Sequence, residues 1–198
     1  MKTKTNHRRI SDRIVFFRQF LQHPLQLGSI IPSSRFLERR VVETADVRSA
    51  RTIVELGPGN GGTTRAILAA MPDDARLLSI EVNPDLFDLV NRVEDNRLIA
   101  HHGSAVRLPE ILSRYGLTAP DAMISGIPFS TIGWRAGERI LEAASTVLAP
   151  GGRFVAYQVS GRVADVGRPF FGDGRMEVQL LNIPPMRIYR WEKSPSRG

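Results

Sequence analysis

Short runs of apolar residues alternate along this chain with longer amphipathic segments. Apolar runs of five or so residues are typical of buried strands, and apolar positions at intervals of three and four indicate helices. The runs predict strands near residues 52–56, 76–81, 97–101, 120–125 and 152–158. The amphipathic segments predict helices near residues 62–71, 84–92, 107–115 and 135–148. Because strands and helices alternate, we expect an α/β fold with right-handed crossovers and a parallel sheet covered on both faces.

The carboxyl-terminal part of the chain departs from this alternation. Residues 176–181 and 187–191 predict two further strands, with Pro184-Pro185 between them. A connection this short joins antiparallel neighbours, because parallel strands need a long crossover. We therefore expect a seven-stranded, mostly parallel sheet that ends in an antiparallel hairpin.

The amino-terminal part predicts two helices, one near residues 11–23 and one that Ser33 or Ser34 caps and that runs to about residue 45. The first helix is amphipathic, with apolar residues on one face and arginines on its flanks. These residues are Ile14, Phe17 and Leu21, with Arg13 and Arg18. Such a helix is typical of elements that lie on a membrane surface. It also fits a lid whose apolar face packs over a binding site, and the two interpretations are compatible.

The net charge lies in the same amino-terminal region. Residues 1–40 contain nine Lys or Arg against two acids, a net charge of +7, which equals the net charge of the whole chain. Residues 41–198 therefore balance at 18 basic and 18 acidic side chains. We interpret residues 1–45 as a basic segment for membrane contact or site closure, and residues 46–193 as a separate α/β domain.

Composition narrows the classes of protein to consider. With 198 residues the chain has the length of one domain. It contains no cysteine, which excludes disulfides and cysteine-bound metal and fits a reducing compartment. No apolar run reaches the length of a membrane span, and the amino terminus makes a poor signal peptide because Arg18 and Gln19 interrupt its apolar stretch. We expect no metal ion.

A glycine-rich turn between the first predicted strand and its helix carries the strongest chemical signal. The turn spans Gly57-Pro58-Gly59-Asn60-Gly61-Gly62 and follows Glu55 at the end of the strand. Glycines let a ligand approach the backbone, and the next helix presents free N–H groups. Glu55 would repel a pyrophosphate but attracts an ammonium group. This combination favours the cationic cofactor S-adenosylmethionine over a dinucleotide or ATP.

A second acid, Glu81, ends the next predicted strand, 24 residues after Gly57. An acid at about this distance from a glycine turn accepts hydrogen bonds from ribose hydroxyls. The Glu55–Gly62 motif and Glu81 together resemble the class I S-adenosylmethionine-dependent methyltransferases. That resemblance places Ser104 and Ala105 beside the adenine, although many members carry Asp where Ser104 stands. The expected cofactor residues are Glu55, Gly57, Gly59, Asn60, Gly61, Glu81, Ser104, Ala105 and Ser125.

The segment Ser125-Gly126-Ile127-Pro128-Phe129 follows the fourth predicted strand, where this resemblance places the acceptor substrate. Adenine methyltransferases carry a polar side chain where this chain has Gly126. Gly126 offers only backbone groups, which argues against adenine as the acceptor. Phe129 fits either a cation–π contact with a substrate amine or the core.

The chain resembles more specifically the bacterial phospholipid N-methyltransferases of the Sinorhizobium type, which methylate phosphatidylethanolamine. The shared segments include Gly28–Ser34, Glu55–Gly59, Ser125–Phe129 and Asn182–Pro185. The resemblance implies a Rossmann-like fold, an anionic membrane surface as partner, no nucleic acid, and a place at the inner face of the cytoplasmic membrane. It leaves the acceptor lipid, the number of methyl groups and the oligomeric state open.

The acceptor amine must be neutral to attack a methyl group, so we considered groups that take or orient its proton. Candidates are Tyr157, His101 and His102, and a backbone carbonyl with water is an alternative. Together with the loop residues Ser125, Gly126 and Ile127, Tyr157 completes the expected catalytic set. Two further functions stay open at this stage: methylation of RNA or DNA adenine, and methylation of a soluble small molecule.

Overall fold

The computed structural model describes residues 34–182 and 184–194, and seven strands in these residues form one sheet. The strands are β1 (Thr52–Leu56), β2 (Arg76–Glu81), β3 (Leu98–His102), β4 (Ala122–Ser125), β5 (Arg153–Gln158), β6 (Arg175–Gln179) and β7 (Met186–Glu192). Their order in the sheet is β3-β2-β1-β4-β5-β7-β6. Strands β1 to β5 pair in parallel, and β7 pairs antiparallel with both β5 and β6. The predicted sheet and its closing hairpin are confirmed.

Helices cover both faces of this sheet. They are α1 (Arg35–Thr44), α2 (Gly62–Ala70), α3 (Pro84–Asn91), α4 (Leu108–Arg114), α5 (Trp134–Val147) and α6 (Arg162–Phe171). Apolar side chains of α1 and α2 pack on one face of the sheet, and those of α4, α5 and α6 pack on the other. Each sheet face is thus removed from water by a separate apolar core.

Helix α1 is anchored at both its first residue and its buried face. Ser34 is the N-cap residue, as predicted, and its hydroxyl accepts a hydrogen bond from the Leu37 amide. The buried amide of Asn182 accepts a hydrogen bond from the Ser34 N–H at 3.0 Å and donates one to the Pro184 carbonyl at 2.9 Å. The described part of the 1–45 segment therefore packs in the domain core. The predicted helix at residues 11–23 lies outside the described residues.

Helix α6 was not predicted from the sequence. Gly167 and Pro169 lie within it, and both residues normally weaken or end a helix. Tertiary packing outweighs this preference. Val163, Val166 and Gly167 are buried on the face of α6 that packs on α5 and β7, and these contacts stabilise the helix. The other elements predicted within the described residues are present, with ends shifted by at most two residues.

Two absences hold for the described residues. No helix between residues 34 and 194, leaving out residue 183, is long and apolar enough to cross a membrane. Over the same part of the chain, no three His, Asp or Glu side chains are grouped so that they could hold a metal ion.

Asn182 bridges Ser34 and Pro184 by two hydrogen bonds, and this bridge yields the first testable prediction. Asn182→Ala should lower the free energy of unfolding by about 1–3 kcal/mol, because the half-buried N–H of Ser34 and carbonyl of Pro184 lose their partner. Urea denaturation measures this loss. Asn96→Ala is the matched control, since Asn96 is an exposed loop asparagine, and it should change the free energy little. Equal stability of the two variants would show that the bridge does not anchor α1.

Candidate active site

The site is built around the turn that leads from β1 into α2. Gly57, Gly59 and Gly61 have φ angles of +71°, +58° and +80°, a region that side-chain-bearing residues rarely adopt. A Cβ atom at Gly57 would also lie 3.0 Å from the side chain of Ile127. The Asn60 side chain accepts a hydrogen bond from the Gly62 N–H, which holds the turn in place. The backbone of the turn is thus fixed and close to the loop after β4.

Glu55 is a buried carboxylate at the end of β1, only 1% exposed. Its Oε2 accepts hydrogen bonds from the Thr64 hydroxyl at 2.7 Å and the Ser79 hydroxyl at 2.8 Å. Its Oε1 has no partner among the described residues. Burial raises the pKa of Glu55 from 4.5 to about 7, against the opposing effect of the two hydroxyls. An unpartnered carboxylate oxygen of this kind suits a cationic ligand.

Glu81 ends β2, the strand next to β1. Its Oε1 accepts hydrogen bonds from the N–H groups of Val82 and Asn83, both at 2.9 Å. Burial raises its pKa, and the backbone N–H groups of Asn83, Val82 and Gly59 oppose that rise. Glu81 therefore lies beside the glycine turn, as the sequence predicted, with one oxygen engaged by its own loop.

The loop after β4 brings Gly126 against the glycine turn. The Gly126 N–H donates to the Leu56 carbonyl at 2.9 Å. A Cβ atom at Gly126 would lie 2.6 Å from the Tyr157 hydroxyl and 2.7 Å from the Gly57 carbonyl. No side chain fits at this position while Tyr157 holds its place. The hydroxyl of Tyr157, contributed by β5, takes the space that a side chain at position 126 would need.

Ser125 and Ile127 also have partners in this loop. The buried Ser125 hydroxyl accepts a hydrogen bond from the Ile127 N–H at 3.4 Å, and Gln158 donates to the Ile127 carbonyl at 2.8 Å. Both contacts stiffen the loop. Phe129 is 1% exposed and lies against Gly137, so of its two interpretations the structure supports the core position.

Tyr157 shares a hydrogen bond with the Thr63 hydroxyl at 3.1 Å. Burial raises its pKa above that of an ordinary tyrosine, and the nearby Glu55 and Glu38 add to the effect. The phenol therefore keeps its proton at neutral pH. Tyr157 is suited to orient a ligand by hydrogen bonding but not to act as a base.

The two histidine candidates lie elsewhere. His101 and His102 are on β3, three strands from β4, a separation of roughly 14 Å at the usual strand spacing. His101 contacts the Tyr115 hydroxyl at 3.1 Å, and His102 stacks on Phe87. The structure does not bring either histidine to Gly126, so their interpretation as the proton acceptor is corrected.

Ser104 and Ala105 follow β3 at the same edge of the sheet. The Ser104 hydroxyl accepts a hydrogen bond from the Val106 N–H at 3.4 Å and caps a short 3₁₀ helix, Ala105–Arg107. Ala105 is buried. A place for Ser104 beside an adenine ring stays a prediction.

Glu38 on α1 is a site residue that the sequence did not reveal. Its carboxylate lies against Gly62, at the first turn of α2. Burial raises its pKa, while Arg35 and Arg65 oppose the rise. No spacing marks Glu38 in the sequence, because its approach to Gly62 depends on how α1 packs on the domain.

Three buried side-chain oxygens have no hydrogen-bond partner among the described residues, and all lie at this edge of the sheet. They are Glu55 Oε1, Gln158 Oε1 and Ser160 Oγ. Buried polar atoms normally have partners, so unpartnered ones indicate a place where water or a ligand binds. The residues present therefore fit a polar, cationic cofactor held between the ends of β1, β2, β4 and β5.

Comparison with known proteins agrees with this geometry. No family model matches the chain. The chain is 28% identical over 183 residues to an ornithine lipid N-methyltransferase from Singulisphaera acidiphila, a match that covers 91% of this chain and 95% of that protein. It is 36% identical over 88 residues to ribosomal RNA small subunit methyltransferase A from Streptomyces griseus, covering 43% of this chain and 25% of that protein.

A solved structure gives the fold. The O-methyltransferase TomG from Streptomyces achromogenes, in complex with S-adenosylmethionine, superposes with a TM-score of 0.63 at 16% sequence identity. The match covers 80% of this chain and 79% of that chain. The chain has the fold of the class I methyltransferases, which confirms the predicted fold class. Its similarity over nearly the whole length to a lipid N-methyltransferase confirms the resemblance noted from its motifs, and these relatives support S-adenosylmethionine as the cofactor.

The raised pKa of Glu55 predicts a pH dependence of cofactor binding. Below pH 7 this carboxyl group holds a proton that a cationic ligand must displace. Affinity for S-adenosylmethionine should rise between pH 5.5 and 7, approaching tenfold per pH unit, and then level off. Glu55→Gln should bind weakly and without this rise, as measured by calorimetry. A rise of equal steepness in Glu55→Gln would assign the titration to another group.

The same group predicts the sign of a stability change in the cofactor-free protein. Because the pKa is higher in the folded state, the free energy of unfolding should fall as pH rises from 4.5 to about 7. The full loss is about 3 kcal/mol. Glu55→Gln should lack this loss, whereas Glu94→Gln, an exposed control, should retain it.

Glu81 yields a separate prediction. Glu81→Ala should weaken S-adenosylmethionine binding by roughly tenfold to a hundredfold, because a hydrogen bond to a charged group contributes about 1.5–3 kcal/mol. Asp88→Ala removes an exposed acid from α3 and serves as the control. Unchanged affinity in Glu81→Ala would place the ribose elsewhere.

Proposed function

We propose that this protein transfers methyl groups from S-adenosylmethionine to the amine of a membrane lipid, namely phosphatidylethanolamine and its methylated forms. The observation that carries the proposal is the contact between Gly126 and Tyr157. It leaves no side chain to bind the edge of a planar base and provides a phenol hydroxyl beside the methyl-transfer position. Similarity to a lipid N-methyltransferase over 91% of the chain supports the same class of acceptor.

Bound S-adenosylmethionine supplies a sulfonium methyl group that an amine can attack in line. Glu55 binds the cofactor ammonium through its unpartnered oxygen, and Glu81 accepts from the ribose. The glycine turn lets the cofactor lie close to the backbone. The acceptor amine approaches in its neutral form, aligned by the Gly126 carbonyl and the Tyr157 hydroxyl. Positioning of this kind supplies much of the rate of a displacement reaction.

The fate of the proton follows from the pKa of Tyr157. Because that phenol stays protonated at neutral pH, the lipid ammonium releases its proton to solvent water before the attack, and the Gly126 carbonyl accepts a hydrogen bond from the neutral amine. The catalytic set is then Ser125, Gly126, Ile127 and Tyr157, in which the serine holds the loop and the other three face the acceptor.

The amino-terminal segment supports a location at the inner face of the cytoplasmic membrane. Its net charge of +7 over residues 1–40 attracts anionic lipid, about 1 kcal/mol for each Lys or Arg near the surface. Of residues 1–45, those before α1 then serve as the membrane-contacting segment, whereas α1 packs on residues 46–193, the methyltransferase domain.

A second acceptor is an adenine of ribosomal RNA. The match to ribosomal RNA small subunit methyltransferase A, 36% identical over 88 residues, favours it. That match covers only 25% of the RNA enzyme, and residues 41–198 of this chain carry no net charge. RNA-binding proteins usually carry a basic face, so the lipid remains the better acceptor.

Methyl transfer to both acceptors, measured side by side, tests the proposal. With tritiated S-adenosylmethionine, we expect label in phosphatidylethanolamine presented in detergent micelles and none in ribosomal RNA. An ornithine lipid assayed in parallel decides between the two headgroups. Gly57→Val is the inactive control, because its side chain would meet Ile127 at a strained φ. Label in RNA with both lipids blank would establish the second acceptor, and label in neither would leave a soluble amine as substrate.

A further inference from the structure

Large apolar side chains are exposed along the edge of the sheet that carries the site. Leu180 is 72% exposed, Leu181 62% and Phe36 60%, and Val159 and Trp134 are about half exposed. These five residues are here called the apolar rim. Exposed apolar side chains scattered singly are ordinary, but a group of them marks a surface that contacts a partner or a membrane.

Hydrogen bonds connect the segments that carry the apolar rim. Ser34 lies two residues before Phe36, and its hydroxyl donates a hydrogen bond to the Leu181 carbonyl at 2.7 Å. The side chain of Gln179 donates to the Phe36 carbonyl at 3.5 Å. Arg187 of β7 pairs with the end of β5 and donates to the Val159 carbonyl at 3.2 Å. The rim therefore runs from the start of α1, past the β6–β7 connection, to the end of β5.

Trp134 extends the rim to the loop after β4. It is the first residue of α5, and the guanidinium of Arg162 lies 5.5 Å from the centre of its ring. Arg162 opens α6, directly after the end of β5. The rim thus borders the ends of β4 and β5, where Gly126 and Tyr157 meet.

Basic side chains accompany the apolar ones. Arg35, Arg162 and Arg187 lie next to rim residues, and none forms an ion pair with a carboxylate in the part of the chain that the structure describes. Two acids are close to these arginines in sequence. Glu38, near Arg35, lies against Gly62, and Asp165 lies one turn after Arg162 along α6. A tryptophan and leucines with arginines beside them suit the interface of an anionic membrane, where apolar tips enter and cations remain with the headgroups.

We infer that the apolar rim inserts into the interfacial layer of an anionic membrane, so that the edge of the sheet with Gly126 faces the lipid headgroups. This inference rests on the proposed function, because an acceptor held in a bilayer reaches Gly126 only if this edge faces the membrane. It adds a contact surface within the folded domain to the one proposed for the amino-terminal segment. The partner that covers the apolar rim is the lipid bilayer itself.

Trp134 makes the inference testable without interference from the amino-terminal segment. The chain has two tryptophans, Trp134 on the rim and Trp191 buried at 3% exposure, and residues 1–33 contain none. A blue shift of emission, or quenching by lipids brominated on their acyl chains, therefore reports on the rim. With vesicles of phosphatidylglycerol and phosphatidylcholine, we expect both signals in the full-length protein and neither in Trp134→Phe.

A double variant tests the rim leucines. Leu180→Ser with Leu181→Ser should weaken Trp134 quenching and vesicle affinity by about tenfold or more, because two apolar anchors are lost. Leu89→Ser is the matched control, since Leu89 is an exposed leucine on α3 away from the rim, and it should bind like the parent protein. Retained activity on aminolipid in detergent micelles shows that the double variant is folded.

The outcomes separate this inference from the proposed function. Vesicle binding with no change in Trp134 emission overturns the inference, because the protein then attaches by another surface. A dimer that the double variant abolishes, again with Trp134 unquenched, assigns the rim to contact between two copies and overturns it as well. Quenched Trp134 in a protein that methylates no aminolipid, even in micelles, refutes the proposed function while the docking surface stands.

Discussion

The buried carboxylate of Glu55 is the constraint on which the arrangement of the site depends. One of its oxygens binds the hydroxyls of Thr64 on α2 and Ser79 on β2, so a single group ties two strands and a helix together. A charge buried this deeply is unfavourable without partners, and its raised pKa reflects that cost. The other oxygen remains without a partner among the described residues. The fold is therefore built with a polar group that a cationic ligand can satisfy.

The packing of Gly57 against the loop after β4 is a second constraint. A methyl group at Gly126 would collide with the Tyr157 hydroxyl and the Gly57 carbonyl, and one at Gly57 would press on Ile127. Gln158 fixes the same loop through the Ile127 carbonyl. The acceptor side of the site is thus shaped by backbone and one phenol hydroxyl. Such a surface can align an aliphatic amine but offers little to distinguish the edge of a base.

The sequence predicted the parts of this structure that follow from local pattern. Strands, most helices, the glycine turn, Glu55 and Glu81 were all placed correctly, because apolar periodicity and the spacing of two acids reflect single elements and their order. The sequence did not predict the features that depend on contacts between distant segments. Helix α6 contains Gly167 and Pro169 yet forms, because its buried face packs on α5 and β7. Glu38 and the contact of Tyr157 with Gly126 join distant segments, so no local spacing signals them.

Helix α1 links the edge of the sheet to the cofactor side of the site. Its first turn is held to the β6–β7 connection through Ser34 and Asn182 and carries Phe36 of the apolar rim. Glu38 lies in the same turn and rests against Gly62, at the start of α2. A displacement of the rim would therefore move Glu38 relative to the glycine turn, because a helical turn shifts as one rigid unit. The proposed membrane contact and the proposed cofactor site thus share helix α1, whose buried face packs on the core.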